Sequence, residues 1–584
     1  MWLGLGSVVL VACGGGELDV VATGTGQSGQ AGQSGQAGQS GQAGQSGQAG
    51  ASSIAWTACT LYSPGTLDDH EGLPPLERTD AAADCATVTM PLDHDAPTGK
   101  AIPLFVKRIP ATGAPRAQLW MLEGGPGGSS LGFEPIAASL TSWDPGVEVF
   151  LLDQRGTGRS SRLGCSAAED PKSPSGIFVD PTELASCAAA VNATWSPTEL
   201  ARFDTTSAAR DLGALIERTR VPGRLVYVLG VSYGTFLAHR YLQLYPAQAD
   251  GVVLDSMVPP TMSFTTFDAG FDQTAKQLLD ACKDVATCAN RLGPDPWARM
   301  TKVLDEQNTA PCAFPGLGLT GRAGYVSVFG QMLTGWYARE LIPALVHRVE
   351  RCNTDDRKAI QKLVQRMFRV GQPPGEFDKA YSLVLGANIG LSELWATPAP
   401  TMAELQDVVA HANASTGVGP LMAQWTGLLP AYPHDAYWGQ FATTGTPLLM
   451  MNGTIDPRTP LSVGEQLGKH FTGANQTFVV LPRASHAVIT NSPMGDGSKS
   501  CGMELVRGFL MDPKQPIDTT CLGQIRPHNF DGEPAAVQFL MGTTDAWGDG
   551  GDGDAPAGPP PPPPPALADS LRRWARELRS VGPK

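Results

Sequence analysis

Gly230-Val231-Ser232-Tyr233-Gly234 is the feature that most restricts how this chain folds. It follows the apolar run Leu225–Leu229 and precedes a run of helical spacing, Thr235–Leu244. Glycine on both sides of one serine lets the chain turn sharply where a Cβ would clash, so a strand passes directly into a helix with the serine at the bend. Such a turn needs a buried strand and a helix packed back onto the same sheet. The rest of the sequence supplies both. Gln118–Leu122, Val147–Leu152, Gly251–Leu254, Pro447–Met451 and Thr477–Leu481 are short apolar runs that read as buried parallel strands. Ala86–Leu92 and Ile102–Arg108 read as an opening hairpin, and Ser207–Thr219 as a helix. This alternation predicts a doubly wound α/β sheet.

Residues 261–440 break the alternation and read as a mostly helical lid, inserted between a first core part, 53–260, and a second, 441–545. The first thirteen residues, MWLGLGSVVLVAC, are apolar but too short to span a bilayer. They read as the apolar region of an export signal over 1–12, and Leu10-Val11-Ala12-Cys13 as a lipobox with Cys13 as the lipidation site. No Lys or Arg precedes the run, so plain secretion and no export at all stay open beside a lipid anchor. Residues 13–52 read as a tether, because 27–50 are four copies of QSGQAG, which bury too little surface to order the chain. A Gly/Asp- and Pro-rich linker is expected over 546–566 and a basic amphipathic tail helix over 567–584, either solvated or laid on an anionic surface.

The formal net charge of −14 excludes the basic face that nucleic-acid binding needs. Beyond Cys13 there are ten cysteines, none in CxxC spacing, so disulfides fit better than a zinc site. Five bridges imply an oxidising compartment. Connectivity is not readable, although sequential neighbours (59–85, 165–187, 282–288, 312–352, 501–521) make the simplest set.

A serine hydroxyl is a weak nucleophile without a base beside it. When Ser232 tops a strand-turn-helix, the acid and then the histidine follow in chain order. Asp456 lies just after the strand Pro447–Met451, in a loop that also suits a plain turn. His486 lies just after Thr477–Leu481, one β-α step later. The other histidines follow no late core strand or lie within helical runs. Glu123-Gly124-Gly125-Pro126-Gly127-Gly128-Ser129 follows the strand Gln118–Leu122. The amide of Gly125, or of Gly124, together with that of Tyr233, is the expected oxyanion hole, each donor worth about 10²–10³ in rate. No HExxH pair and no Walker-type lysine appears, so neither a metal nor any other cofactor is expected.

These stretches, with Asp153-Gln154-Arg155-Gly156-Thr157-Gly158-Arg159-Ser160, Val253-Leu254-Asp255-Ser256 and Asn452-Gly453-Thr454-Ile455-Asp456-Pro457, resemble the prolyl iminopeptidase and tripeptidyl aminopeptidase group. The likeness runs from about residue 56 to about 525 and is closest to the secreted tripeptidyl aminopeptidase-like branch, which has a Cys-bounded segment like Cys501–Cys521. It implies an α/β-hydrolase fold with a helical lid. It also implies a serine exopeptidase that removes short peptides or proline from free peptide N-termini, with Ser232, Asp456 and His486 as its triad. Asp153 and Arg155 are then structural, and Glu393 is either the lid carboxylate that holds the substrate amine or a surface residue. Three positions depart from the pattern: Glu123, Leu391 where the group has Cys, and Ser485-His486-Ala487 where Gly-His-Gly is usual. An esterase or amidase acting on small molecules is the rival within enzymes. A hydrolase scaffold used only for binding is the rival outside them.

Overall fold

The strands at the centre of the sheet are buried along nearly their whole length, and an apolar cluster packs on each face of the sheet. The computed structural model describes residues 54–63, 82–170, 179–314, 317, 319–368, 381–495, 497 and 499–550. The expected signal, the tether with Cys13, most of the linker and the tail 567–584 lie outside these residues.

Nine strands form one sheet: β1 (Thr57–Thr60), β2 (Ala82–Pro91), β3 (Ala101–Ile109), β4 (Ala117–Leu122), β5 (Val147–Leu152), β6 (Leu225–Val231), β7 (Gly251–Asp255), β8 (Leu448–Gly453) and β9 (Gln476–Leu481). Their order is β1-β2-β3-β5-β4-β6-β7-β8-β9. The first three strands and the β3–β5 pair are antiparallel, and every pair from β5 to β9 is parallel. β1 is an addition to the expected set: it is short and mostly exposed, and its Cys59 is bonded to Cys85 on β2.

Side-chain period two divides each central strand between two cores. Leu119 and Met121 of β4, and Val149 and Leu151 of β5, join one apolar cluster. Trp120, Leu122, Phe150 and Leu152 join the other, across the sheet. Continuous burial of β4, β5 and β8 leaves no solvated face, which is why these strands read as mainly apolar runs without alternation, Gln118, Glu148 and Asn452 being the buried polar exceptions. Between β7 and β8 the described residues form helices and no sheet strand, from Phe267–Cys282 through Val418–Ala423. All ten cysteines other than Cys13 pair as sequential neighbours. The Gly/Asp run expected as linker from 546 begins inside the packed body. Trp547 is buried and donates to Asp531, and the buried Arg348 donates to the Ala546 carbonyl.

One buried ion pair fixes the segment that follows β4. Lys107 on β3 reaches Glu134 at 2.5 Å, and also donates to the Leu61 carbonyl and Ser63 Oγ, with both charged residues almost fully buried. Burial pulls the Lys107 pKa below its usual value, against the raising effect of Glu134. Lys107→Met leaves a buried carboxylate short of its main partner and is expected to cost about 3–5 kcal/mol. The double variant Lys107→Met/Glu134→Leu is expected to recover more than half of that loss in denaturant midpoint. A single variant as stable as wild type would contradict this assignment.

Candidate active site

β6 ends at Val231, and the next helix begins at Tyr233, so Ser232 alone makes the bend. Its φ of 57° and ψ of −127° lie where a residue with a Cβ is strained. The flanking glycines are obligatory. A Cβ on Gly230 would come 2.3 Å from the Gly234 carbonyl oxygen, and one on Gly234 would come 2.1 Å from that of Leu122. Ser232 stays partly exposed while its neighbours are buried.

The Gly-rich loop lies against this bend. A Cβ on Gly124 would sit 2.8 Å from Ser232 Cβ and 3.3 Å from its Oγ. Gly125 has a φ of 118°, which only glycine adopts freely. The Gly124 amide donates to Glu123 Oε1 at 3.0 Å, so of the two amides weighed from sequence, Gly124's is already engaged. Tyr233 is the first residue of its helix, where the amide has no intrahelical acceptor.

Asp456 and His486 form a closed pair. His486 Nδ1 lies 3.0 and 2.9 Å from the two Asp456 carboxylate oxygens, and both residues are buried. Asp456 also accepts from the amides of Arg458 and Thr459 and from Thr459 Oγ1. Burial alone would raise its pKa, but the facing imidazole and these hydrogen bonds outweigh it and hold the carboxyl below its usual range. With Nδ1 engaged, Nε2 is the nitrogen left to exchange a proton. Ser232 Oγ has no hydrogen bond among the described residues, so the serine side of the constellation is open; such contacts often tighten only with substrate.

Asp255, for which sequence reasoning had no role, joins the two halves. Its carbonyl accepts from the Ser232 amide at 3.0 Å, and its carboxylate accepts from the amides of Val488 and Ile489 at 2.8 and 2.9 Å. Ser256 adds a bond from the Ala487 amide at 2.7 Å. One residue therefore holds both the serine bend and the loop carrying His486. Burial raises the Asp255 pKa, and the bonds from Ile489, Ser256 and Val488 oppose that. The available signal was a carboxylate at the end of an apolar strand.

The departures around His486 also have physical accounts. Ser485 Oγ donates to the Leu333 carbonyl, tying the loop to the helical segment. Ala487 has a φ of 58°, the region that glycine occupies at no cost, so alanine there is strained. Arg155 is buried and structural: it pairs with Asp211 and donates to the carbonyls of Pro91, Leu92 and Arg202.

Glu393 is neither on the surface nor joined to Ser232, Asp456 or His486. It is 6% exposed, accepts from the Thr205 amide and the Tyr432 hydroxyl, and lies 3.7 Å from Arg240. None of its hydrogen bonds reaches Ser232, Asp456 or His486. Burial pushes its pKa up, and Arg240 works against that. Among the described residues no group of three or more His, Cys, Asp or Glu side chains is arranged to hold a metal ion.

Residues 119–285 match the model for the alpha/beta hydrolase fold, and residues 420–521 that for TAP-like protein. The tripeptidyl aminopeptidase of Streptomyces coelicolor is 33% identical over 205 residues, which cover 32% of this chain and 38% of that protein. The match thus spans well under half of that relative's length. Serine protease Hip1 of Mycobacterium tuberculosis is 23% identical over 501 residues, 79% of this chain and 89% of that protein. Among solved structures, a proline iminopeptidase of Mycobacterium smegmatis is 15% identical with a TM-score of 0.28, covering 69% of this chain and 92% of that one. By its sheet and the stretch 119–285, the chain has the α/β-hydrolase fold, and residues 420–521 are similar to TAP-like protein.

Proposed function

We propose that this protein is a serine exopeptidase of aminopeptidase type, which releases short peptides or proline from free peptide N-termini. The observation that carries the reading is the buried Asp456–His486 pair, tied through Asp255 to the Ser232 bend. The relatives' names, tripeptidyl aminopeptidase and serine protease, favour a peptide over an ester as substrate.

In this mechanism Ser232 Oγ attacks the scissile carbonyl and passes its proton to His486 Nε2. Asp456 holds the imidazole tautomer and stabilises the imidazolium that forms. The carbonyl electrons collect on an oxyanion facing the Gly125 and Tyr233 amides. Collapse breaks the C–N bond, and His486 returns the proton to the leaving amine. Water, deprotonated by His486, then attacks the acyl-enzyme, freeing the released peptide as an acid and restoring Ser232.

The helical segment at 261–440 acts as the lid. It meets the Gly-rich loop directly, since the Ser382 amide donates to the Gly127 carbonyl at 2.9 Å and Tyr381 bridges Gly128. A cover at that point excludes the middle of a long chain and admits an end. We assign Glu393 to the packing of lid against core, through Thr205 and Arg240, and not to amine binding. Five disulfides fit an exported protein. Lipidation at Cys13 completes that proposal as its membrane attachment; among the described residues no helix is long and apolar enough to cross a membrane.

A panel of tripeptidyl, aminoacyl and prolyl amides, each free and N-acetylated, beside simple esters, tests the reading. Free-amine peptides are expected to turn over, acetylation to lower kcat/KM by at least about 10²-fold, and Ser232→Ala to remove about 10⁴-fold or more. Ester turnover alone, with every free-amine peptide untouched, would refute it. Asp255→Asn presents an N–H₂ to backbone donors that need an acceptor, so it is expected to lower kcat about 10- to 100-fold with little change in KM. Unchanged kcat in that variant would remove Asp255 from the account.

A further inference from the structure

Glu123 departs from the sequence pattern at the edge of the site, and its side chain has an unusual seat. Three glycines four residues apart, Gly124, Gly128 and Gly132, follow it. A Cβ on Gly128 would fall 2.9 Å from Glu123 Cγ, and one on Gly132 would fall 2.6 Å from Oε2. The side chain therefore runs along bare backbone at both positions. Its other oxygen accepts the Gly124 amide at 3.0 Å, and the Gly124 carbonyl accepts the Gly128 amide at 3.1 Å, which closes the turn. The floor of this seat is rigid. Ser130 bonds Asp153 through both its amide and its hydroxyl, and Glu134 is held by Lys107.

We infer that Glu123 is a positioning residue for the oxyanion pocket: seated on Gly128 and Gly132, its carboxylate takes up the Gly124 amide and leaves those of Gly125 and Tyr233 as the pair facing substrate. The inference rests on the serine-hydrolase reading above. Gly124 lies so close to Ser232 that a Cβ on it would clash, so the direction of its peptide sets where the next amide, that of Gly125, points. A loop with so many glycines has little stiffness of its own, and the Glu123–Gly124 bond supplies it. The group acts on the donor geometry and not on the substrate, so its loss appears in kcat.

The test is steady-state kinetics on the best free-amine amide for wild type, Glu123→Ala, Glu123→Gln, Gly132→Ala and the double variant Glu123→Ala/Gly132→Ala. Glu123→Ala is expected to lower kcat about 10- to 100-fold with KM within about threefold. Glu123→Gln keeps an acceptor oxygen and is expected to restore kcat to within about threefold of wild type. Gly132→Ala pushes on Oε2 and is expected to lower kcat about tenfold when Glu123 is present, but by less than about twofold when it is already alanine. That loss of additivity separates positioning from general destabilisation. Unchanged kcat in Glu123→Ala, additive losses in the double variant, or a loss in KM alone would each overturn the inference. Wild type inactive on the whole panel would instead refute the hydrolase reading on which the inference rests.

Discussion

A serine at a strand end and a histidine on a loop more than two hundred residues later must be held at one place, and Asp255 is where this fold joins them. Its backbone belongs to β7 beside β6, so its carbonyl fixes the Ser232 amide as part of the sheet edge. Its side chain leaves the sheet and gathers the amides of Val488 and Ile489. Ser256, in a left-handed conformation, adds Ala487. These bonds are buried, where an unmade hydrogen bond costs the full desolvation of the group. The loop carrying His486 therefore has little freedom to drift from the serine bend.

The same sheet edge supplies the other groups. β4 delivers the Gly-rich loop, β6 the serine, β7 Asp255 and β8 Asp456. In a parallel sheet all these strand ends lie on one side, which is where crevices for ligands form. Charge is arranged unevenly around them. Asp456, met by His486 and three hydrogen-bond donors, is held ionised, whereas burial wins at Asp255 and Glu393 and raises their pKa values.

Much of this is legible in sequence because long apolar strands leave a strong trace. Val147–Leu152 is a strand over the residues expected, and the other core strands differ by one or two at their ends, with four at the start of the hairpin's first strand, Ala82 in place of Ala86. The Asp456–His486 pairing follows from chain order after two late strands. What sequence hides is what depends on tertiary partners. β1 is too short and too exposed to show a period, and is defined by its pairing with β2. Trp547 sits in a Gly/Asp run that reads as linker, yet it is buried through Asp531 and a neighbouring arginine. Glu393 reads as a lid carboxylate open to substrate or solvent; its burial comes from Thr205, Tyr432 and Arg240, remote in sequence. Asp255 is hidden for the same reason, since the two amides its carboxylate gathers, those of Val488 and Ile489, lie more than two hundred residues away.

The central claim is that Ser232 is activated by a histidine which Asp456 orients. The most direct measurement is covalent labelling by a fluorophosphonate, followed by digestion and mass mapping of the adduct. The account predicts one adduct, on Ser232, formed rapidly by wild type and slowed by orders of magnitude in His486→Ala. An adduct on another residue, or labelling of Ser232 that is indifferent to His486, would contradict it.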